Sequence, residues 1–252
     1  MIALVSPAKT LDLKSPLPDE APSRPRFERE AATLATAAAK LTAPKLGRLM
    51  HISDTLAKLN VDRFRGFAEA APRPAIRTFA GDVYHGFEAK SLDDDAIAFA
   101  QDHLRILSGL YGLLRPLDLI RPYRLEMGTR WAPGRPRDLY AWWGQRVSDA
   151  LAHDLAEQDD AMILNLASKE YWQVIAQSPP KGARIVSIDF REEGPDGLRF
   201  NSFAAKRARG TMARWLCEHR VTDIDAMRGF DSDGYRFTRD GSDDATWRFV
   251  RG

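Results

Sequence analysis

The sequence has a single cysteine and no long apolar run, and both absences exclude whole classes of protein. One thiol, Cys217, cannot form an intrachain disulfide or a cysteine-rich zinc site. The apolar run that follows Met1 ends at Ser6, which is too short for a signal peptide or a membrane span. We therefore expect a cytoplasmic protein without a membrane partner.

The familiar sequence signatures of catalysis and cofactor binding are also missing. There is no Walker loop and no G-x-G-x-x-G, G-x-S-x-G or H-E-x-x-H motif, and the five histidines show no metal-ligand spacing. We predict neither a metal nor a cofactor. No repeat, low-complexity segment or Gly/Ser-rich linker divides the chain, so residues 1–252 are expected to form one domain, with a monomer favoured.

Positive charge is concentrated in one interrupted segment, although the net charge of the chain is only +2. Residues 105–137 contain seven arginines against two acids, and glycines, prolines and tyrosines separate them. Glycine allows close approach of the backbone to a ligand, and the guanidinium fork matches phosphate oxygens in pairs. The segment therefore predicts a rigid anion-binding surface that includes Arg105, Arg115, Arg121 and Arg124.

A second basic segment, residues 199–220, contains six Lys or Arg against one acid. At about 100° per residue, one face of the predicted helix collects Lys206, Arg207, Gly210 and Arg214, opposite an apolar stripe. This face could bind an anion, with Gly210 giving room for close approach. The alternative is an ordinary solvated face paired with acids.

Strands and helices alternate irregularly, which indicates an α/β fold, or an α+β fold, around a mixed sheet flanked by helices. Strands are predicted at 2–6 and 161–166, a hairpin at 184–190 with 198–203, and a terminal hairpin at 235–238 with 246–250. Helices are predicted at residues 27–40 and 204–218, and two more are expected to begin at Asp138 and after Ser168. A further helix is predicted to be capped by Ser91, to continue through Leu104 and Leu107, and to end near Gly109.

Residues 42–64 resemble a helix-hairpin-helix, a module that grips a nucleic-acid phosphate through turn amides and a helix N-terminus. The turn is His51, Ile52, Ser53 and Asp54, and it lacks the usual glycines. Taken alone, this segment is more typical of an ordinary helical packing hairpin, because such hairpins are common packing units.

Four residues are candidates for acid–base catalysis on a bound anion: Asp82, His85, Asp118 and Glu126. The alternative is structural, with Asp118 and Glu126 orienting the arginines and Asp82 and His85 packing a turn. Cys217 is one helical turn from Arg214, and positive charge there would favour thiol oxidation, whereas burial would make it inert.

Eight short motifs together resemble the YaaA family, bacterial cytoplasmic proteins linked to peroxide-stress resistance. The motifs occur in one order, and the match as a whole runs from residue 1 to about residue 237. The motifs are Ser6-Pro-Ala-Lys-Thr-Leu-Asp12, Ile52-Ser-Asp-Xaa-Leu-Ala57, Gly81-Asp-Val-Tyr-Xaa-Gly86, Leu107-Ser-Gly-Leu-Tyr-Gly112, Arg115-Pro-Leu-Asp118, Pro122-Tyr-Arg-Leu-Glu-Met-Gly128, Asn165-Leu-Ala-Ser168 and Lys206-Arg-Ala-Arg-Gly210.

The resemblance implies DNA binding through a helix-hairpin-helix element, here residues 42–64, and a positively charged cleft. It also implies a part in limiting free iron during hydrogen peroxide stress. Carried over to this chain, the cleft would use Lys9, Arg105, Arg115, Arg121, Arg124, Lys206, Arg207 and Arg209.

The combined hypothesis is a non-enzymatic protein of the oxidative-stress response that binds double-stranded or branched DNA largely without sequence specificity. Arginines would neutralise phosphates, while Tyr123 and the hairpin add shape selectivity. The alternative is an enzyme acting on a phosphorylated or otherwise anionic small molecule held by the same arginines. An enclosed pocket containing one of the candidate carboxylates would favour the enzyme.

Overall fold

A seven-stranded mixed sheet organises the molecule, which we describe from a computed structural model covering residues 1–158 and 160–252. The strands are β1 (Ile2–Val5), β2 (Thr10–Leu11), β3 (Arg73–Pro74), β4 (Phe79–Ala80), β5 (Leu104–Ser108), β6 (Gly112–Leu114), β7 (Leu119–Ile120), β8 (Met162–Asn165), β9 (Arg184–Glu192), β10 (Arg236–Thr238) and β11 (Thr246–Arg251). The main sheet has the order β10-β11-β9-β8-β1-β5-β6, and β2/β4 and β3/β7 form two small antiparallel pairs.

Helices cover the sheet and enclose one continuous apolar core. They are α1 (Glu28–Ala38), α2 (Ala43–Met50), α3 (Asp54–Arg65), α4 (Ala75–Thr78), α5 (Asp82–Phe87), α6 (Asp94–His103), α7 (Leu139–Trp143), α8 (Arg146–Ala156), α9 (Lys169–Ala176) and α10 (Ser202–Glu218). The α/β class with a mixed sheet, predicted from the sequence, is confirmed. Among the described residues, no helix is both long and apolar enough to cross a membrane.

The five central strands of the sheet are parallel, and the two edge strands, β6 and β10, are antiparallel to their neighbours. β1 is buried along its whole length because it pairs on both sides, Ala3 lying opposite Leu104 of β5 and Leu164 of β8. A strand buried on both faces needs a continuous apolar run rather than alternation. The short apolar sequences of β1 and β8 meet that requirement.

The predicted helix from Ser91 to Gly109 is wrong at both ends. The N-cap is Asp93, whose carboxylate accepts the Ala96 N–H at 2.7 Å, and α6 ends at His103. The following apolar residues form β5 instead, fully buried beside β1. An apolar run continuing a helical period cannot be told from a buried strand by periodicity alone.

The predicted hairpin after β9 is also only partly present. β9 pairs with β8 and β11 in parallel, whereas the returning segment makes just one bridge, Glu192 to Arg199, before α10 begins. Asn201 ends the extended stretch by capping α10, its side-chain oxygen accepting the N–H groups of Phe203 and Ala204. The terminal hairpin of β10 and β11 is confirmed.

Helices α5 and α10 cross at unusually close range because glycines face each other. A Cβ atom built on Gly210 would lie 1.7 Å from the carbonyl oxygen of Val83, and one on Gly86 would lie 2.1 Å from that of Arg207. The space beside Gly210, which we expected to admit a ligand, is therefore filled by α5. The crossing fixes the position of α10 against the sheet.

Residues 42–64 form the predicted helical hairpin, α2 and α3 joined by a three-residue turn. His51 has a left-handed backbone (φ 49°), and the Ser53 hydroxyl accepts the Leu56 N–H at 3.4 Å to cap α3. Ile52 N–H bonds the Gly47 carbonyl at 3.1 Å, which closes the turn on α2. The two helices are confirmed, and phosphate binding by this turn stays a prediction.

Candidate anion-binding site

The chain reverses its direction of travel across the sheet between β1 and β8, which places a crevice at their carboxyl ends. From β1 the chain passes to β5 on one side, and from β8 it passes to β9 on the other. In open parallel sheets, ligands bind outside the carboxyl ends of strands at such a switch point. The loops that begin at Ser6 and Leu166 flank this crevice, which we call the switch-point groove.

The switch-point groove consists of two adjoining cavities with a shared wall. The narrower half, about 540 Å³, lies against the loop after β1, and the wider half, about 870 Å³, lies against β9 and α9. Three residues line both halves: Ser168, Lys206 and Arg209. Two cations and a hydroxyl therefore sit where the halves meet.

Three cations of the groove form no ion pair with a described residue, although three carboxylates, including that of Asp189, also line it. Within the described residues, no carboxylate oxygen lies within 4 Å of the charged atoms of Lys169, Lys206 or Arg209. The Nε atom of Arg209 is buried and has no hydrogen-bond partner among them. A buried donor without a partner costs about 1–3 kcal/mol, so this guanidinium favours an incoming acceptor.

Two serine hydroxyls are fixed at the floor of the groove. The Ser168 N–H donates to the Ser6 oxygen at 2.9 Å, and the Ser6 hydroxyl donates to Ser168 at 3.3 Å. The Tyr84 hydroxyl, fully buried in α5, donates to the Ser6 carbonyl at 3.1 Å and holds the loop after β1. Ser168 also precedes α9, whose first intrahelical bond is donated by Trp172, so the amides of residues 169–171 are free of that ladder.

Lys9 and Arg124 extend the positive charge beyond the narrower half. Both approach one carboxylate oxygen of Glu126, Lys9 at 3.5 Å and Arg124 at 2.8 Å. The Lys9 side chain remains 65% exposed, whereas Arg124 is largely buried. Of the predicted anion-binding residues, the structure therefore brings together Lys9, Arg124, Lys206 and Arg209.

Two of the four candidate acid–base residues also lie in the groove. Asp82 and His85, both in α5, line the narrower half with Lys9 and Arg209. Glu126 forms an ion pair with Lys9 beside the groove. Asp118 is buried outside the groove, where its carboxylate accepts a hydrogen bond from the Ser23 hydroxyl at 2.7 Å. Asp82 and His85 thus share the narrower half with Arg209, and acid–base catalysis by them stays a prediction.

Arg105 and Arg115 lie at the opposite, amino end of the sheet. Arg105 is 3% exposed and donates to Asp154 of α8 at 2.7 Å, with Arg115 at 3.8 Å and Arg26 also bound to that carboxylate. Burial disfavours ionisation of Asp154, but Arg105 and the hydrogen bonds it receives outweigh burial and lower its pKa. These arginines bind a protein carboxylate and are separate from the groove.

The remaining predicted binding residues have other surroundings. Arg214 donates to the Glu88 carbonyl at 3.0 Å and the Ser91 hydroxyl at 2.8 Å, which caps the end of α5. Arg207 is exposed, 3.7 Å from an Asp233 oxygen. Tyr123 is buried and shares a 2.6 Å hydrogen bond with Ser108.

Arg121 lies near the end of α3 rather than in the groove. Its guanidinium is 5.8 Å from the centre of the Phe67 ring, and the backbone N–H of Arg121 donates to the Tyr111 hydroxyl at 2.9 Å. Its buried Nε atom has no hydrogen-bond partner among the described residues. Arg121 thus adds a partly unsatisfied cation to the side of the molecule that carries the helical hairpin.

Among the described residues, one cluster has ligand atoms close enough to hold a metal. It consists of His153, Asp154 and Glu157, whose ligand atoms all lie within 4.8 Å of one another. Asp154 already balances the guanidinium groups of Arg26 and Arg105. An added cation would meet these positive charges and compete for the same oxygens. The cluster is therefore poorly suited to a metal.

Cys217 is buried in α10, and burial raises the pKa of its thiol to about 12. Because the thiolate is the reactive form, we expect Ellman's reagent to label the folded protein at pH 8 at a negligible rate. One thiol should react after addition of denaturant. Fast stoichiometric labelling of the folded protein would instead support the hypothesis that the Cys217 thiol is readily oxidised.

Sequence reasoning identified Lys9, Lys206 and Arg209 but missed Ser6 and Ser168 as site residues. Ser6 directly follows β1, and Ser168 comes three residues after the end of β8. If β1 and β8 had been recognised as adjacent parallel strands, the loops at their carboxyl ends would have been predicted to lie side by side and to contain the ligand site.

Comparison with known proteins places the chain in a family. A family model described as peroxide stress protein YaaA matches residues 1–241. A UPF0246 protein of Rhizorhabdus wittichii is 64% identical over 251 residues, covering 100% of this chain and 99% of its own length. A UPF0246 protein of Ralstonia pickettii is 48% identical over 255 residues, covering 100% of this chain and 99% of its own length. A UPF0246 protein of Polynucleobacter necessarius is 47% identical over 241 residues, covering 94% of this chain and 93% of its own length. The chain therefore belongs to the YaaA family of peroxide stress proteins, also called UPF0246, which supports a role in peroxide stress.

Proposed function

We propose that this protein binds DNA during peroxide stress, holding the phosphate backbone along the switch-point groove largely without sequence specificity. The observation that carries the proposal is a set of three groove cations, Lys169, Lys206 and Arg209, that form no ion pair with a described residue. Cations contacting phosphates position a protein on nucleic acid but read no sequence. This activity would belong in the cytoplasm, where the DNA lies.

Surrounding features support a nucleic-acid ligand. Phe203 at the start of α10 is 71% exposed, and the Lys206 ammonium lies 5.5 Å from its ring centre. Exposed aromatic rings next to cations are typical of surfaces that contact bases and backbone together. The helical hairpin of residues 42–64 offers a second phosphate contact through the amide groups of its turn.

The proposal is tested by fluorescence anisotropy on labelled duplex and branched DNA across a salt series. We expect log K to fall linearly with log salt, because each phosphate contact releases counterions. The triple variant K169A/K206A/R209A should bind DNA more weakly. The magnitude of its slope of log K against log salt should be smaller by roughly 3, about one for each cation removed.

A control that removes two cations is available at the other end of the molecule. Lys181 lies in the turn before β9, and Arg220 lies beyond the last turn of α10, paired with Asp95 at 3.2 Å. K181A/R220A should leave both the affinity and the slope near wild type. Absence of wild-type binding at about 50 mM salt would refute DNA binding. Unchanged binding by the triple variant would refute this location for it.

A further inference from the structure

We propose that the switch-point groove is also a site for a small phosphorylated ligand of mononucleotide type. Its phosphate would lie at Ser168, Lys206 and Arg209, where the two halves of the groove meet, and its planar ring system would occupy the wider half. This goes beyond DNA binding, because it assigns the groove a soluble ligand that binds without any polymer.

The phosphate position follows from donors that the protein leaves unused. Arg209 is half-buried with an unpartnered Nε, and Lys206 has no carboxylate within 4 Å among the described residues. A guanidinium fork binds two phosphate oxygens in parallel, and an ammonium adds a point charge. The Ser168 hydroxyl supplies a neutral donor on the same wall.

The backbone adds an independent preference for an anion at this point. The amides of residues 169–171 begin α9 directly after the loop that leaves β8, ahead of the helix's first internal hydrogen bond. A strand, a short loop and a helix N-terminus at a switch point is the arrangement by which doubly wound folds hold phosphate. Here the loop is anchored by the 2.9 Å bond from Ser168 N–H to Ser6.

The wider half has the chemistry of a ring-binding pocket. Trp172 and Phe200 line it, and the Arg191 guanidinium lies 5.5 Å from the Phe200 ring centre. Aromatic faces bind nucleobases by stacking, which is tolerant of the base. A volume of about 870 Å³ falls in the range of cofactor and ligand sites and far exceeds the needs of a free phosphate ion.

The ligand class is tested by isothermal titration calorimetry of the full chain at low salt with three probes: AMP, adenosine and inorganic phosphate. We expect AMP to bind most tightly, because it alone carries both a phosphate for the junction of the two halves and a ring system for the wider half. K206A and R209Q should each weaken AMP at least tenfold. W172A should weaken AMP similarly and leave inorganic phosphate unchanged.

Controls separate this proposal from loss of folding and from DNA binding. Lys206 is exposed, so K206A should melt like wild type, and K181A/R220A should bind AMP normally. No heat with AMP at about 1 mM, or wild-type affinity in both K206A and R209Q, would overturn the site. A protein that binds AMP but no duplex would retain this site and lose the DNA proposal, and the reverse result would retain only DNA binding.

Discussion

Replacing Gly210 with alanine should destabilise the protein by about 3 kcal/mol or more. This is the largest effect that we expect from a substitution that only adds atoms and removes no contact. The added methyl group would lie 1.7 Å from the Val83 carbonyl oxygen; its position is fixed by the backbone of α10, and the oxygen belongs to the backbone of α5. Neither helix can relieve the overlap by changing a rotamer. The helices must separate, which opens the packed core between them. Urea denaturation of the variant and wild type measures the difference.

The crossing offers both a partner substitution and a matched control. G86A should be comparably damaging, and the double variant should cost less than the sum, because helices already separated admit the second methyl group. Gly47 lies in α2, where an added Cβ would meet its neighbours at an ordinary 3.5 Å. G47A should therefore be neutral or stabilising by up to about 1 kcal/mol. A G210A variant as stable as G47A would contradict the crossing.

Local sequence signals predicted the elements whose ends are marked by caps and whose faces differ in polarity. Ser168 precedes α9 as predicted, and Pro44 lies in the first turn of α2, where a helix start signal is expected. β5 was missed because a strand buried on both sides loses the alternation that identifies strands. Its pairing with β1, about a hundred residues away, is a tertiary fact that no local window contains.

The sequence predicted most of the basic residues of the candidate site but not which of them lie together in the folded protein. Arg105 and Arg124 belong to one basic segment, yet β5 places Arg105 at the buried amino end while the loop after β7 returns Arg124 to the carboxyl end. Gly210 was attributed to ligand access because composition cannot show which backbone approaches a glycine. Chain topology, which sequence patterning leaves open, decides which cations share a surface.

Neutralising Asp154 should also have a large effect, through charge rather than shape. D154N leaves Arg105, which is 3% exposed, without its counter-charge, and breaking a buried pair on one side costs about 3–5 kcal/mol. Because the folded-state pKa of Asp154 is lowered, its stabilisation is fully present above the unfolded pKa of about 3.9 and is lost as pH falls through the folded value. The stability gap between wild type and D154N should be constant near neutral pH and shrink below about pH 4.

Removal of both charged partners separates the cost of an isolated charge from the value of the pair. In R105M/D154L two apolar chains of similar volume replace the buried bond, so much of the stability lost in D154N should return. Recovery would be incomplete, since Arg26 and Arg115 also face this carboxylate. Urea unfolding of the three proteins at pH 7 and pH 3.5 supplies the comparison. A gap that widened on acidification would mean that Asp154 is protonated in the folded state, and the pair would then not be ionic.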